Sequence, residues 1–278
     1  MSKQLTTILS IAGSDPTGGA GIQADIRAGN EMGVHVLTAV TAVTVQNSTH
    51  FFETGVVSAT LLEAQLKAII QESTPQAIKI GLIGSEENFQ VIADFLSKLG
   101  EKIPVVVDPL INSTIDTYNL SGCSPNETRD LYVDGIFPFS TVATPNREEW
   151  ETLSNLKEIT EENLKKSLNE LNLTALAIKG GHSLEGSKLE PAKKIDDLLI
   201  TQNGEEETFT HPRIECKNLH GTGCVFSTLM AANLAFGKTL REAFHATCES
   251  MSHIIDKSCN YSLGNSLYGP LNINQYKL

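Results

Sequence analysis

Short apolar runs alternate with amphipathic runs along most of the chain, and this alternation limits the possible folds more than any other feature. Residues 6–13, 77–84 and 104–109 are short and apolar, which is typical of buried strands. Residues 59–72 and 86–99 instead repeat apolar side chains at helical spacing. Strands that alternate with helices form a mostly parallel sheet covered by helices on both faces. The sequence therefore predicts an α/β fold.

The remaining segments continue this alternation. No linker, low-complexity segment or internal repeat divides residues 1–278, so we expect a single domain. The other predicted elements are a helix at 20–33 closed by Gly33, strands at 34–46 and 174–181, a strand-to-helix passage at 141–153, a helix at 162–172, a hairpin around 202–205, and helices at 224–236 and from about Thr239. Residues 109–125 and 183–194 are too polar for a core and are candidate active-site loops or lids.

Charge and cysteine content exclude several classes of function. The net charge is −12 and there is no long basic run, which argues against a nucleic-acid or anionic-membrane surface. The apolar stretch near the N-terminus is too short for a signal peptide or a membrane span. The five cysteines lack CxxC or CxxH spacing, so they indicate neither a disulfide framework nor a zinc site. We therefore expect a cytoplasmic protein with reduced thiols.

Glycines and polar residues recur where the predicted strands end. In an open α/β sheet, ligands bind beyond the carboxyl ends of the strands. The residues at these positions are 13–15, Gln46 and Asn47, Gly81, Asp108, 146–149, 179–181 and 220–224. Their convergence predicts one ligand site at this edge of the sheet, and it is stronger evidence than any single member.

Two glycine-rich segments precede predicted helices. GSDPTGGAGIQAD, residues 13–25, is neither GxGxxG nor a Walker A sequence. A tight strand–helix connection explains its glycines as well as a ligand site does, while Asp15 and Asp25 on either side favour a ligand site. HGTGC, residues 220–224, stands before an apolar helix, where free backbone N–H groups would form an anion site for a phosphoryl group. A plain loop is the alternative there.

Charged side chains at the strand ends suit a nucleotide and a metal ion. Lys179 can reach a phosphate as a point charge, although a solvated lysine is the commoner situation. Asp108 and Glu149 suit Mg²⁺, held directly or through water. Either acid alone is more often a surface carboxylate, and Glu149 also lies in a first helical turn, where the macrodipole favours acids. His211 and His220 are candidate phosphate contacts, although a single histidine is usually structural.

Seven segments follow one another in a characteristic order: AGSDPTGGAGIQAD, TVQNST, KIGLIGS, VVVDP, TPNREE, IKGGH and HGTGC. In order and spacing, over residues 6–240, they resemble the hydroxymethylpyrimidine/phosphomethylpyrimidine kinases. The resemblance implies a ribokinase-like three-layer α/β fold and a role in thiamine biosynthesis. It also implies ATP- and Mg²⁺-dependent phosphorylation of 4-amino-5-hydroxymethyl-2-methylpyrimidine, and then of its monophosphate. We further expect a homodimer that binds no nucleic acid and no membrane.

The resemblance assigns roles to individual positions. The pyrimidine pocket is implied at Gly13, Asp15, Ala20, Gln46, Leu82 and Val107. The nucleotide and magnesium side is implied at Lys179, Asn146, Glu149 and Asp108, and the anion hole at Gly221, Thr222, Gly223 and Cys224. Family members often have methionine at the position of Leu82. The segment after Asp108 reads PLINSTIDTYNL, where the family commonly has Lys, Ser and Gly, so its nucleotide contacts stay open.

Cys224 stands where the wider superfamily usually has an aspartate that takes the proton of the acceptor hydroxyl. A helix N-terminus stabilises a thiolate and lowers its pKa from about 8.5. We therefore expect Cys224 to act as a base in the first phosphorylation. The second acceptor, a phosphate monoester, is already largely anionic at neutral pH and needs no base. The alternative is a small apolar residue packed at a helix start.

Two other functions stay open. A pyridoxal or pyridoxine kinase of the same superfamily would share the fold and the phosphate site. Gln46 favours the pyrimidine, because an amide can pair with both a ring nitrogen and an amino group. A non-catalytic pyrimidine-binding protein is the third possibility, and the complete set of Lys179, Asn146, Glu149 and the 220–224 turn argues against it.

Overall fold

The computed structural model describes residues 4–99, 103–111, 123–180, 194–264, 266 and 268–274. The strands within these residues are β1 (Thr7–Ser14), β2 (His35–Gln46), β3 (Phe51–Val56), β4 (Ala77–Ile80), β5 (Val105–Val107), β6 (Val142–Ala143), β7 (Ala175–Ile178), β8 (Lys194–Thr201) and β9 (Glu206–Pro212). They form one sheet in the order β3-β2-β1-β4-β5-β6-β7-β8-β9. Pairing is parallel from β2 through to β7, and β3, β8 and β9 add antiparallel strands at the two edges.

Helices connect most of the parallel strands. They are α1 (Gly21–Met32), α2 (Ala59–Glu72), α3 (Glu86–Leu99), α4 (Pro125–Leu131), α5 (Arg147–Ser154), α6 (Glu161–Glu170), α7 (Thr222–Ala235) and α8 (Leu240–Ser258). A π-helical turn at Tyr132–Ile136 and a 3₁₀ turn at Phe137–Phe139 follow α4. None of the helices in the described part of the chain is long and apolar enough to cross a membrane.

Two apolar clusters cover the two faces of the sheet. Successive residues of one strand point to opposite faces, so Ile8 joins one cluster and Leu9 the other. The first cluster packs side chains of α2, α3, α5 and α6 against the sheet, and the second packs side chains of α1, α7 and α8. The predicted mostly parallel sheet with helices on both faces is therefore confirmed.

The structure differs from the sequence prediction at element ends and in two unpredicted segments. The strand predicted over 77–84 ends at Ile80, because Gly84 adopts a left-handed conformation (φ 95°) and residues 81–84 form a loop. β3 was not predicted, since it is a short edge strand, mostly exposed, and lacks a buried face with period two. Helical residues 126–139 were also not predicted.

The two predicted loops are described only at their ends. The loop predicted over 109–125 runs one residue too far, because Pro125 begins α4, where Ser124 and Glu127 form a capping box. The loop predicted over 183–194 also runs one residue too far, because Lys194 already belongs to β8. Residues 112–122 and 181–193 lie outside the described residues, so the lid predictions for them stay predictions.

Candidate active site

Two glycine-rich loops pack against each other at the carboxyl edge of the sheet. Gly221, just before α7, has φ 89°, and a Cβ atom there would lie 1.9 Å from the carbonyl oxygen of Gly19. A Cβ atom on Gly19 would lie 2.2 Å from Cδ2 of His220. Gly221 leaves room for the backbone of the other loop, and Gly19 leaves room for the His220 ring, so any larger residue at either position would force the loops apart. The loop after β1 and the loop before α7 thus form one wall of the site. They are far apart in sequence, since the hydrogen-bonded residues Asp15 and His220 are separated by 205 positions.

Asp15 holds these two loops together. Its carboxylate is buried and accepts hydrogen bonds from the Thr17 amide, the Thr17 hydroxyl and the Ala20 amide, each at 2.8 Å. Nε2 of His220 lies 2.9 Å from the same carboxylate. Burial alone would raise the pKa of Asp15, but the bonds from His220 and Thr17 hold it below its ordinary value. The carboxylate therefore stays ionised and is fully engaged within the protein.

The first turn of α7 presents its amides to the site. Its N-cap, Gly221, has no side chain to occupy the amides of Gly223 and Cys224, so these N–H groups suit an anion. Thr222 is the first residue of this turn and is partly exposed. The anion site predicted from the HGTGC segment falls at this turn and stays a prediction.

The expectation of a lowered pKa for Cys224 is wrong. The side chain is 8% exposed, and burial raises the pKa of its thiol to about 11. Lys79 acts in the opposite direction, while Asp25 and Asp108 add to the rise. The helix N-terminus alone does not decide the charge, because desolvation of a thiolate outweighs it. Cys224 is therefore a thiol at neutral pH.

Lys179, which is partly buried, and Asp108, which is fully buried, form an ion pair next to this turn. Nζ of Lys179 lies 2.9 Å from Oδ1 of Asp108, and the bridge between Asn146 and Lys179 extends the sheet to this point. A Cβ atom on Gly223 would lie 3.2 Å from Oδ2 of Asp108 and 3.3 Å from Nζ of Lys179. The predicted cation, the predicted acid and the anion site are therefore brought together.

Glu149 completes this charged cluster from the start of α5. Its Oε2 accepts from the Asn146 amide at 2.7 Å, and Asn146 caps the Glu149 amide at 2.8 Å. Burial raises the pKa of Glu149 to about 7, with Lys179 opposing the rise and Asp108 adding to it. Asn146 and Glu149 thus hold each other in a capping box at the edge of the site.

The cluster fits a magnesium ion. Oδ2 of Asp108 is buried and has no hydrogen-bond partner among the described residues. The carboxylate of Glu149 belongs to the same cluster: burial is the main cause of its raised pKa, and the negative charge of Asp108 adds to the rise. No group of three or more His, Cys, Asp or Glu side chains in the described residues forms a closed metal site. Two carboxylates are nevertheless enough for Mg²⁺, which keeps waters and substrate phosphates as its other ligands.

The residues implied for the pyrimidine lie at the ends of β1, β2, β4 and β5. Leu82 closely approaches Gly13, where a Cβ atom would lie 2.7 Å from Cδ2 of Leu82. Gln46 is half-buried at the end of β2 and donates from Nε2 to the Thr44 hydroxyl at 3.0 Å. Ala20 is the N-cap of α1. Val107 is fully buried in the core, so its side chain has no open face towards a ligand.

His211 lies beside the site rather than in its centre. It is on β9, and its Nε2 lies 3.3 Å from Oδ2 of Asp197. The hydrogen bond with Asp197 raises the pKa of His211. Asp197 also accepts from the amide of Gly180 at 2.8 Å, one residue after Lys179. The predicted nucleotide contact of His211 therefore stays a prediction.

A buried ion pair beneath the site was not predicted. Asp25, interpreted as a residue beside the ligand loop, instead lies in the core and bonds Lys79 of β4; both side chains are 0% exposed. The only sequence signal is the lysine in AIKI, a charged residue inside an otherwise apolar strand.

An anion site beside a lysine and two carboxylates is what phosphoryl transfer requires. On this sheet it defines the protein as a kinase with a ribokinase-like fold. The phosphomethylpyrimidine kinase family model matches residues 15–272, so the chain belongs to that family.

Comparison with known proteins agrees with this assignment. The chain is 33% identical over 270 residues to the hydroxymethylpyrimidine/phosphomethylpyrimidine kinase of Staphylococcus aureus, covering 95% of this chain and 92% of that protein. Among solved structures, it resembles the pyridoxal kinase of Staphylococcus aureus in complex with AMP-PCP and pyridoxal (TM-score 0.81, 26% identity, 99% of this chain and 96% of that chain). It also resembles the phosphomethylpyrimidine kinase of Clostridium difficile (TM-score 0.72, 26% identity, 89% of this chain and 98% of that chain).

Proposed function

We propose that this kinase uses ATP to phosphorylate 4-amino-5-hydroxymethyl-2-methylpyrimidine, and then its monophosphate to the diphosphate, in thiamine biosynthesis. The observation that carries the proposal is the Lys179–Asp108 pair, packed against the open first turn of α7. The names of the curated relatives support the choice of substrate.

In the proposed reaction, the hydroxyl oxygen of the pyrimidine attacks the γ-phosphorus of ATP, and the bond from that phosphorus to the β,γ-bridging oxygen breaks. Lys179 binds the transferring phosphoryl group, and the amides of Gly223 and Cys224 bind its developing negative charge. The hydroxyl proton passes to the thiolate form of Cys224. In the second reaction the attacking group is a phosphate oxygen that is already anionic.

ATP and Mg²⁺ are the proposed cofactors. Solved pyridoxal kinases that resemble this chain bind AMP-PCP or ADP, which supports a nucleotide site with Asn146, Thr222 and His211 as further contacts. Asp108 and Glu149 would hold Mg²⁺. When bound, this ion would neutralise negative charge on the phosphates.

We also propose a cytoplasmic homodimer in which residues 1–278 form one domain. Cys216, Cys224, Cys248 and Cys259 are free thiols, which suits a reducing compartment. Four apolar side chains on the edge strand β3 and its neighbour β2 are each 45–59% exposed, namely Val43, Val45, Phe52 and Val56. Such an exposed apolar surface suits a second copy of the chain. Light scattering after gel filtration should give twice the chain mass, and V45K should give a monomer.

A pyridoxal kinase is the second candidate, because the resemblance to solved pyridoxal kinases extends over 99% of the chain. The deciding experiment measures ATP consumption at saturating ATP and Mg²⁺ with the hydroxymethylpyrimidine or with pyridoxal as acceptor. We expect a higher kcat/KM for the pyrimidine, and a preference for pyridoxal would overturn the proposal.

Gln46 is the proposed reason for this preference. Loss of its amide should leave polar ring atoms unpaired, which costs roughly 1–3 kcal/mol. Gln46→Met should therefore lower kcat/KM for the pyrimidine by about 10- to 100-fold while the affinity for AMP-PCP stays unchanged. An equal loss of both would remove Gln46 from the pyrimidine pocket.

A further inference from the structure

The buried pair of Lys79 and Asp25 joins four elements of the fold. Nζ of Lys79, on β4, lies 3.0 Å from Oδ1 and 2.9 Å from Oδ2 of Asp25, on α1. The carboxylate also accepts from the hydroxyl of Ser10 on β1 at 2.5 Å and from that of Thr228 on α7 at 2.8 Å. Each carboxylate oxygen of Asp25 thus accepts one hydrogen bond from Lys79 and one from a hydroxyl group. These four hydrogen bonds fix the position of the ammonium.

This network is bonded to α7 at Thr228, one helical turn after the first turn of the helix. Thr228 follows Cys224 by one helical turn, so the two side chains lie on the same face of α7. The ammonium is also close to the end of β4, since a Cβ atom on Gly81 would lie 2.9 Å from Nζ of Lys79. Among the described residues, two pairs of charged groups interact with Cys224. One is the buried pair of Lys79 and Asp25, and the other is the pair of Lys179 and Asp108 at the candidate active site.

A contribution to the stability of the fold does not by itself explain why Lys79 and Asp25 form an ion pair in the core. Two ions lose their hydration when they are buried, and an apolar pair of similar volume is often equally stable or more stable. A fixed positive charge beneath a thiol has a clear chemical effect, because it favours the thiolate over the thiol. Of the charged groups around Cys224, Lys79 acts most strongly on it.

We propose that Lys79, held by Asp25, is a positioning residue whose buried positive charge favours loss of the Cys224 proton. The proton leaves to water through the open site, and the resulting thiolate takes the proton of the acceptor hydroxyl. This second step rests on the function proposed above. The effect on the thiol itself does not, because it is a property of the protein without substrates.

The test is the rate at which iodoacetamide alkylates Cys224 in the substrate-free protein at about pH 8, followed by mass spectrometry of its peptide. The thiolate sulfur forms a bond to carbon and iodide leaves, so the rate reports the thiolate fraction. The main variant, Asp25→Asn/Lys79→Gln, removes both charges and preserves shape. Loss of the Lys79 charge disfavours the thiolate, and loss of the Asp25 charge partly offsets this because Asp25 acts less strongly in the opposite direction. We therefore expect the double variant to react about three- to tenfold more slowly than the unaltered protein. Lys79→Met should also react more slowly and serves if the double variant does not fold.

Two controls separate charge from structure. Ser10→Ala and Thr228→Val each remove one hydrogen bond to Asp25 and keep both charges, so their Cys224 rates should stay within about twofold of the unaltered protein. Cys248, 1% exposed in the core, reports loosening of the fold, and its alkylation should stay unchanged. Faster alkylation of both cysteines in the double variant, or an unchanged Cys224 rate, would overturn the proposal. A protein that alkylates as expected but phosphorylates no pyrimidine would contradict only the proposed function.

Discussion

Lys179 is one ammonium shared between two buried carboxylates. It pairs with Asp108 at 2.9 Å and also opposes the raised pKa of Glu149. If a nucleotide and Mg²⁺ bind, the carboxylates gain a second cation and the lysine becomes available to phosphate. In the proposed mechanism, the same ammonium would pair with Asp108 in the free protein and with the transferring phosphoryl group during the reaction.

Lys179→Ala should lower the turnover number by about 10²- to 10³-fold, because preorganised charges contribute most when charge develops in the transition state. The dissociation constant of the pyrimidine, measured by calorimetry, should change little. Lys67→Ala, which removes a lysine exposed on α2, is the matched control and should retain full turnover. An unchanged turnover number in Lys179→Ala would show that this lysine has no catalytic role.

Cys224 should affect the two phosphorylations differently. Its thiol has a pKa of about 11, so at neutral pH the thiolate fraction is small and increases about tenfold for each pH unit. The first phosphorylation should therefore accelerate between about pH 7 and pH 9. The second should not, because its acceptor is already anionic.

Cys224→Ser should slow the first phosphorylation much more than the second and should flatten its pH dependence. The two rates are measured separately, each at saturating ATP and Mg²⁺. Equal losses, or no loss in either reaction, would show that the cysteine has only a structural role in the turn.

At the scale of elements, the N-terminus of α7 depends on close contact between two loops. Gly221→Ala would place a methyl group 1.9 Å from the Gly19 carbonyl oxygen at φ 89°, so the loop must move. Gly237 has a similar φ of 81°, but no atom lies within 4 Å of its Cβ position. The two glycines share the backbone strain and differ only in their surroundings.

Gly237→Ala should cost about 1–2 kcal/mol of unfolding free energy and leave kcat unchanged. Gly221→Ala should cost more and should also lower kcat by at least about tenfold, since the anion-binding amides shift. Thermal unfolding and steady-state kinetics measure both effects. Similar kcat values in the two variants would contradict the anion site at this turn.

At the scale of the whole molecule, ligand binding should be visible as global stability. A ligand that binds only the folded state at about 100 times its Kd adds about 2.7 kcal/mol to the free energy of unfolding. AMP-PCP with Mg²⁺ should produce such a rise. The single tryptophan, Trp150, is fully buried beside Glu149 and reports unfolding by its fluorescence.

The stabilisation by AMP-PCP should be clearly smaller without Mg²⁺, because the charge of the phosphates is then not neutralised. It should also be smaller in Asp108→Asn, because this variant lacks a carboxylate proposed to hold the ion. Glu53→Gln, which removes an exposed carboxylate on β3, should respond like the unaltered protein. A full stabilisation that is independent of Mg²⁺ would exclude Asp108 from the metal site.

The local pattern of the sequence was enough to predict the mostly parallel sheet, apart from the edge strand β3, and the edge of the sheet at which the candidate site lies. Alternating strands and helices leave few topologies, and parallel strands bring their carboxyl ends together, so Asp108, Asn146 and Lys179 had to converge. Gly221 and Gly19 were also identifiable from sequence, because glycines before a helix indicate a tight turn.

Only the tertiary structure decided which charged groups pair with one another and how burial affects them. Lys79 and Asp25 are 54 residues apart and His220 and Asp15 are 205 apart, so no local pattern shows that they pair. The pKa of Cys224 likewise depends on burial by several elements, which reverses the effect expected from the helix N-terminus. Secondary structure follows from neighbours along the chain, whereas electrostatics follow from neighbours in space and from the exclusion of water.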